Sequence, residues 1–174
     1  MKTNILTLLL IFGLVSVQTK ITAEQAVEVI AGIMDGVILK DDLKELSQCM
    51  TDVQDDTDSI NQIANDFSSL TLTGILSGIE EFRNLMIKLR GDLTTCECIR
   101  PDVDKFLRWG EIFIEPSILV QQLENNLPAH LNEIISDIQA ANADYTQQNF
   151  FEFGENIGEA LVLAVGQNIS VFAQ

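Results

Sequence analysis

Three cysteines and one histidine are the residues of this chain with the most distinctive chemistry. Cys96 and Cys98 are separated by a single residue, and Cys49 lies far before them. With His130 as the sole histidine, this arrangement lacks the ligand spacing of a standard zinc site. His130 has no partner that would make it a general base, and Glu133 three residues later favours a surface or capping role. We therefore expect no metal site, no cofactor and no catalytic residue here.

Sequence motifs of the common enzyme classes are also missing. The chain has no G-x-S-x-G nucleophile turn, no Walker phosphate loop and no dinucleotide-type glycine loop. The acidic run over residues 52–58 resembles a calcium-binding loop in composition, but it lacks the glycine that such a loop needs at its turn. The sequence therefore favours a non-catalytic protein, and a hydrolytic enzyme is the least favoured alternative.

The cysteines predict one disulfide bond if the protein lies in an oxidising compartment. A bond between Cys96 and Cys98 would close a very tight, strained ring, so Cys49 is expected to pair with Cys96 or with Cys98. Closing the long loop would stabilise the fold by about 4 kcal/mol in the loop-entropy model. The remaining thiol is then either buried and inert or engaged in an intermolecular bridge.

The first residues predict a secretory signal peptide. A basic second residue precedes an apolar stretch over residues 5–17, which is too short to span a bilayer comfortably. We place the signal peptide at residues 1–19, with cleavage between Val17 and Ala23, and a single mature domain at residues 20–174. No later stretch has the length of a transmembrane helix, so we expect a secreted, extracellular protein with no membrane span.

One N-glycosylation sequon is present, and it begins at Asn168. It follows the last predicted helix, where the chain is expected to be exposed. Asn168 is therefore the candidate glycosylation site.

The charge distribution limits the classes of partner. The chain has 26 acidic and 10 basic residues and a net charge of −16, with no Lys or Arg after Arg108. Such a chain repels nucleic acid and anionic lipid headgroups. We expect an acidic, solvated exterior and no nucleic-acid partner, with calcium or a cationic partner as sharper alternatives.

Apolar residues at alternating three- and four-residue steps predict helices along the whole chain. The stripe over residues 43–67 is typical of a central helix that faces partner helices, with Cys49 beside it. Pro116 predicts a kink or a break, and Pro128 suits the first turn of a new helix. No strand is predicted, so the fold class is all-α: a compact bundle of five to seven helices with one disulfide. The predicted helices span residues 23–38, 43–67, 74–93, 102–127 with the break at Pro116, 128–143 and 146–165.

Three G-x-x-x-G pairs predict close contacts between helices. A glycine inside a helix costs up to about 1 kcal/mol relative to alanine, and close approach of two backbones is the gain that would offset it. We expect the first and last helices to cross at Gly36 and at Gly154 or Gly158. The six glycines of the pairs are Gly32, Gly36, Gly74, Gly78, Gly154 and Gly158.

Two groups of aromatic residues lie at helical spacing. Side chains of this kind form cores more often than pockets, but they would also line a pocket for an apolar ligand such as a lipid. The candidate pocket residues are Phe106, Trp109, Phe113, Phe150, Phe151 and Phe153.

Short motifs give the chain a resemblance to known proteins. A helix containing the residues 31–37 follows the signal peptide, then come a lone cysteine and a small cysteine cluster, and residues 144–145 and 153–161 follow late in the chain. This order resembles the small secreted helical, cysteine-containing proteins of ciliated protists. The resemblance implies a secreted α-helical protein and transfers no function.

Two classes of function follow from these observations. The first is a secreted, acidic, non-catalytic binding module that holds an apolar ligand or a partner surface between its helices. The second is an extracellular structural subunit that assembles with copies of itself, through glycine-faced helix contacts or through the unpaired cysteine.

Overall fold

In the computed structural model of the chain, residues 20–50 and 53–167 are described, and they fold into seven α-helices around one hydrophobic core. Within those ranges there is no strand, so the all-α, disulfide-linked bundle is confirmed. Residues 1–19 and Asn168 lie outside the described ranges. The helices are α1 (Ala23–Ile38), α2 (Leu43–Cys49), α3 (Gln54–Ser68), α4 (Leu72–Asp92), α5 (Arg100–Ile114), α6 (Pro116–Gln147) and α7 (Phe150–Val165), with two 3₁₀ turns, Leu93–Thr95 and Glu97–Ile99, between α4 and α5.

The first helix follows its local sequence signals closely. Thr22 accepts a hydrogen bond from the Gln25 amide, and the Gln25 side chain accepts one from the Thr22 amide, so both halves of a capping box are present. The helix ends at Leu39, which adopts a left-handed conformation with φ of 57°. The prediction of a helix over residues 23–38 is therefore confirmed at both ends.

The prediction of one central helix over residues 43–67 is wrong. The chain leaves helical geometry at Met50, whose φ and ψ are −86° and 98°, and α3 begins four residues later. Met50 and Val53 are both buried, as expected for stripe positions three residues apart, so the break redirects the chain without removing either side chain from the core. Asp56, in the acidic run over residues 52–58, is only 1% exposed.

The prediction that Pro128 begins a new helix is also wrong, although the break at Pro116 is confirmed. Helix α6 begins at Pro116 and continues through Pro128 to Gln147, so that it is 32 residues long. Pro128 cannot donate the amide hydrogen bond that the Glu124 carbonyl accepts in an uninterrupted helix. Both residues are exposed, so water can reach the unpaired carbonyl, while Ile134 and Ile138 farther along α6 stay buried. The packing of one long helix outweighs the local loss.

Helix α7 lies between α1 and α6 and makes the most extensive helix contacts in the bundle with these two partners. A left-handed residue, Gln148, closes α6 and lets α7 fold back along it, so α7 begins at Phe150 rather than near residue 146 as predicted. Helices α3 and α4 form a second hairpin, and α4 begins at Leu72, two residues before the predicted start.

Candidate functional site

An open apolar groove lies on the surface between the start of α4 and the middle of α6. Its volume is about 510 Å³, within the range of small-ligand pockets. Three of its side chains, Leu72, Leu76 and Val120, are among the most exposed large apolar residues of the described chain, at 55%, 42% and 53%. The full lining is Leu72, Leu76, Val120, Leu123, Glu124, Leu127, Pro128 and Leu131.

The groove exists because an apolar stripe of α6 is covered along only part of its length. Toward the end of α6, Ile134 and Ile138 of this stripe are almost fully buried. One turn earlier Leu131 is only half-buried, and about four turns before Ile134 the Val120 side chain is exposed. Helix α4 packs mainly on α3, and α6 packs mainly on α7, so the first half of the stripe remains partly open beside α4. The groove is the uncovered continuation of the core.

The charges at the groove are few. Glu124 is the only charged residue of its lining, and α6 contains no Lys or Arg. The His130 ring lies 3.1 Å from the Glu133 carboxylate, three residues along the same helix. On α4, Arg83 lies 2.8 Å from its ion-pair partner Glu80. The one formal charge in the lining is therefore negative.

None of these groove residues was predicted from the sequence. Leu72 lies between the predicted helices over residues 43–67 and 74–93, and Leu76 lies off the main apolar face of α4 formed by Ile75, Ile79 and Phe82. The sequence feature that points to the groove is Leu76, a second exposed apolar position on α4 four residues after Leu72. Combined with the excess of apolar positions in the first half of α6, it could have indicated an uncovered surface.

The first aromatic group, predicted as a candidate pocket lining, lies in the core. Phe106, Trp109 and Phe113 are completely buried, and Phe82 of α4 contacts Trp109 and Phe113 with ring centroids 6.0 and 4.8 Å apart. The Trp109 indole N–H donates to the Gly166 carbonyl at 3.0 Å, which attaches the end of α7 to α5. None of these residues lines the groove.

The second aromatic group closes the α6–α7 hairpin. Tyr145 contacts Phe150 and Phe153 edge to face, with ring centroids 5.8 and 5.2 Å apart. The Tyr145 hydroxyl donates a hydrogen bond to the Asn61 side-chain oxygen of α3 at 3.0 Å. Burial raises the pKa of Tyr145. Phe151 is half-buried against the core. This group also lies away from the groove lining.

The glycines of α1 and α7 face each other across the closest helix crossing. A methyl group added to Gly158 would lie 2.6 Å from the Ile33 carbonyl oxygen and 3.1 Å from the Gly36 Cα. Gly32 approaches the backbone of α7 at Phe151 in the same way. Because later residues of α1 meet later residues of α7, the two helices run in the same direction.

The third pair serves the α3–α4 hairpin. A methyl group on Gly78 would collide with the Phe67 ring, and one on Gly74 with Ser69 and the Asp66 carbonyl. All six glycines of the G-x-x-x-G pairs thus pack against atoms of their own chain. These contacts explain how the helices of one chain pack together, and they do not support contacts between copies of the protein.

Cys49 is bonded to Cys96, which joins the end of α2 to the segment between α4 and α5. Thr95 Oγ1 donates to the Cys49 carbonyl at 3.1 Å beside the bond. Cys98 is a free, exposed thiol. Of the two pairings left open by the sequence, the structure adopts the first.

A continuous acidic surface is formed by α1, α6 and α7, which together contain no Lys or Arg. Burial raises the pKa of Glu155, and the negative charges of Asp35 and Glu159 raise it further. Burial and nearby acids likewise raise the pKa of Glu28 and of Asp137. These carboxylates repel one another in the folded protein.

A second charged cluster joins the α1–α2 loop to α5. Lys40 forms ion pairs with Asp102 and, at 3.7 Å, with Asp42, and Lys105 lies 3.2 Å from Asp102. The hydrogen bond from Lys40 lowers the pKa of Asp102, whereas burial raises that of Asp42. Lys40 thus supplies the positive charge between two buried carboxylates, and the cluster has a structural role.

Across the described part of the chain, no group of three or more histidine, cysteine or acidic side chains is placed to hold a metal ion. None of the described helices combines the length and apolar character needed to cross a membrane. No protein-family model, curated protein or solved structure matches the chain. The groove is an apolar cavity of the described surface whose volume and lining suit a small ligand.

Proposed function

We propose that this protein is a secreted, non-catalytic binding module that holds a small apolar ligand in the groove between α4 and α6. The observation that carries the proposal is an apolar groove of about 510 Å³ on the surface of a strongly acidic protein. Exposing Leu72, Leu76 and Val120 together is unfavourable unless something covers them. A ligand in the groove would offset that exposure.

The size of the groove favours a small ligand over a protein partner or a second copy of the chain. Eight residues line it, whereas a standard protein interface has about 20 to 30 residues on each side. The α6 wall runs from Val120 to Leu131, a length of about 16 Å at the helical rise per residue. That length suits a single medium-length aliphatic chain.

Secretion forms part of the proposal and has separate support. The predicted signal peptide at residues 1–19 and the disulfide between Cys49 and Cys96 both fit an oxidising, extracellular compartment. Expression of the full-length chain in a eukaryotic host tests this. The expected result is a protein in the medium that begins between Val17 and Ala23. Retention of the uncleaved chain inside the cell would refute secretion.

Binding is tested with the neutral fluorescent probe N-phenyl-1-naphthylamine. We expect one saturable site whose affinity falls at least tenfold in Val120→Glu, because the new carboxylate would enter the apolar wall. The matched control is Ile87→Glu, since Ile87 is a similarly exposed apolar residue of α4, at 50%, outside the groove lining. No probe binding to the unsubstituted protein, or equal losses in both variants, would refute the groove as the binding site.

Self-assembly remains the second candidate, supported by the exposed thiol of Cys98. It predicts disulfide-linked dimers, seen by light scattering without reductant and lost in Cys98→Ser. A monomer in both proteins would exclude this route.

A further inference from the structure

We propose that the groove selects a single-chain amphiphile with a positively charged headgroup and rejects the same chain with an anionic headgroup. This inference rests on the proposed function and adds the chemistry of the ligand. The carboxylate of Glu124, on the α6 side of the groove, is the group assigned to meet the headgroup.

The wall of the groove determines where the polar end of a ligand must lie. Seven of the eight lining residues have aliphatic side chains, and the eighth is Glu124. A headgroup placed deep in such a wall would lose its hydration without gaining a hydrogen bond, which is strongly unfavourable. The aliphatic chain therefore occupies the groove, and the headgroup remains at the rim. Glu124 is exposed, so its carboxylate reaches water at that rim while its methylene groups contact the wall.

The described residues that line the groove include no cation that would attract an anionic headgroup. Helix α6 has no Lys or Arg along its entire length, and His130 points to Glu133. Arg83, two turns beyond Leu76 on α4, is held by Glu80 on the same helix. An anionic headgroup would meet Glu124 and the field of a chain with net charge −16.

The start of α4, at the groove residue Leu72, favours anions, because helix N-termini carry partial positive charge. Thr71 Oγ1 already accepts the Gly74 amide there, at 3.1 Å. One amide of this first turn is therefore already capped, and Glu124, the one formal charge of the lining, is the group assigned the selectivity.

The experiment compares three twelve-carbon probes at concentrations below micelle formation: dodecyltrimethylammonium, dodecanol and dodecanoate. Each is titrated at pH 7 and low salt in competition with N-phenyl-1-naphthylamine. We expect dodecyltrimethylammonium to bind roughly tenfold more tightly than dodecanoate, with dodecanol between them, as fits one rim-exposed charge. Raising the salt to about 0.5 M should reduce the difference to within about threefold.

Two variants separate the contribution of Glu124 from that of the overall negative charge. Glu124→Gln should reduce the preference to about threefold or less, because it removes the charge and keeps the shape of the side chain. Glu24→Gln removes one exposed charge from α1, outside the groove lining, and should keep the preference near tenfold. Equal effects of both variants, or tighter binding of dodecanoate, would overturn the charge assignment. If dodecanol binds but charge has no effect, only this inference fails; if no probe binds at all, the proposed function fails with it.

Discussion

Replacing Gly158 with alanine tests the close backbone contact at the crossing of α1 and α7. The added methyl group would lie 2.6 Å from the Ile33 carbonyl oxygen, whereas ordinary contacts begin near 3.4 Å. Both neighbours at this point, Ile33 and the Gly36 Cα, contribute backbone atoms, so no flexible side chain can move aside. The two helices must separate by about 0.8 Å to admit the methyl group.

The magnitude follows from that separation. A gap of about 0.5 to 1 Å already removes a quarter to a half of the dispersion attraction between packed atoms. The side chains around the crossing, including Ile33 and Ile157, are fully buried, so the loss is not compensated by solvent. Overpacking of this kind costs about 1 to 3 kcal/mol, and the better helix propensity of alanine returns less than about 1 kcal/mol. We expect a net destabilisation of about 1 to 2 kcal/mol.

Gly91→Ala in α4 is the matched control, because a methyl group there would have no neighbour within 4 Å. It should stabilise the protein by up to about 1 kcal/mol through helix propensity alone. Urea unfolding of both disulfide-bonded variants, followed by circular dichroism at 222 nm, gives the two free energies. If Gly158→Ala is as stable as Gly91→Ala, the close backbone contact between α1 and α7 is refuted.

Three further predictions concern stability and use the same urea assay. Leu39→Gly should stabilise the protein by about 1 kcal/mol, because Leu39 has a φ of 57° and is 76% exposed; a lower unfolding midpoint would contradict this. Replacing both Cys49 and Cys96 by alanine should destabilise it by about 4 kcal/mol, since the bond closes a loop with a sequence separation of 47; a loss below about 1 kcal/mol would contradict the loop-entropy account. Glu155, Glu28 and Asp35 have raised pKa values, so the folded state binds more protons than the unfolded chain, and stability should fall as pH rises above the ordinary glutamate value of 4.5. If stability rises as the pH increases above 4.5, this pH prediction is refuted. Below pH 3.8, the lowered pKa of Asp102 acts in the opposite direction, because stability is then lost as the pH falls.

Local signals in the sequence were sufficient where one residue decides the outcome. Thr22 and Gln25 fixed the start of α1, and Pro116 fixed the boundary between α5 and α6. The glycine spacing indicated the α1–α7 crossing, because only a glycine lets two backbones come so close. In each of these cases, the residue type at one position or one short spacing is enough to predict the feature.

Features that depend on the whole bundle were not predictable in the same way. The chain breaks after Cys49 although Met50 and Val53 keep a helical spacing, and the core that buries both comes from distant segments. Pro128 is typical of the first turn of a helix, but the packing of α6 on its partner helices keeps α6 continuous through it. The groove was missed for the same reason, because Leu76 is exposed only through the position of α4 relative to α6.

The most direct test of the groove as the ligand site is a methyl NMR titration. The disulfide-bonded protein, labelled at Leu and Val methyl groups, is titrated with dodecanol at concentrations below saturation of the alcohol. The account predicts shift changes centred on Leu72, Leu76, Val120 and Leu123, with Val29 of the α1–α7 crossing unchanged. Changes centred on the core methyl groups, or no saturable change anywhere, would contradict it.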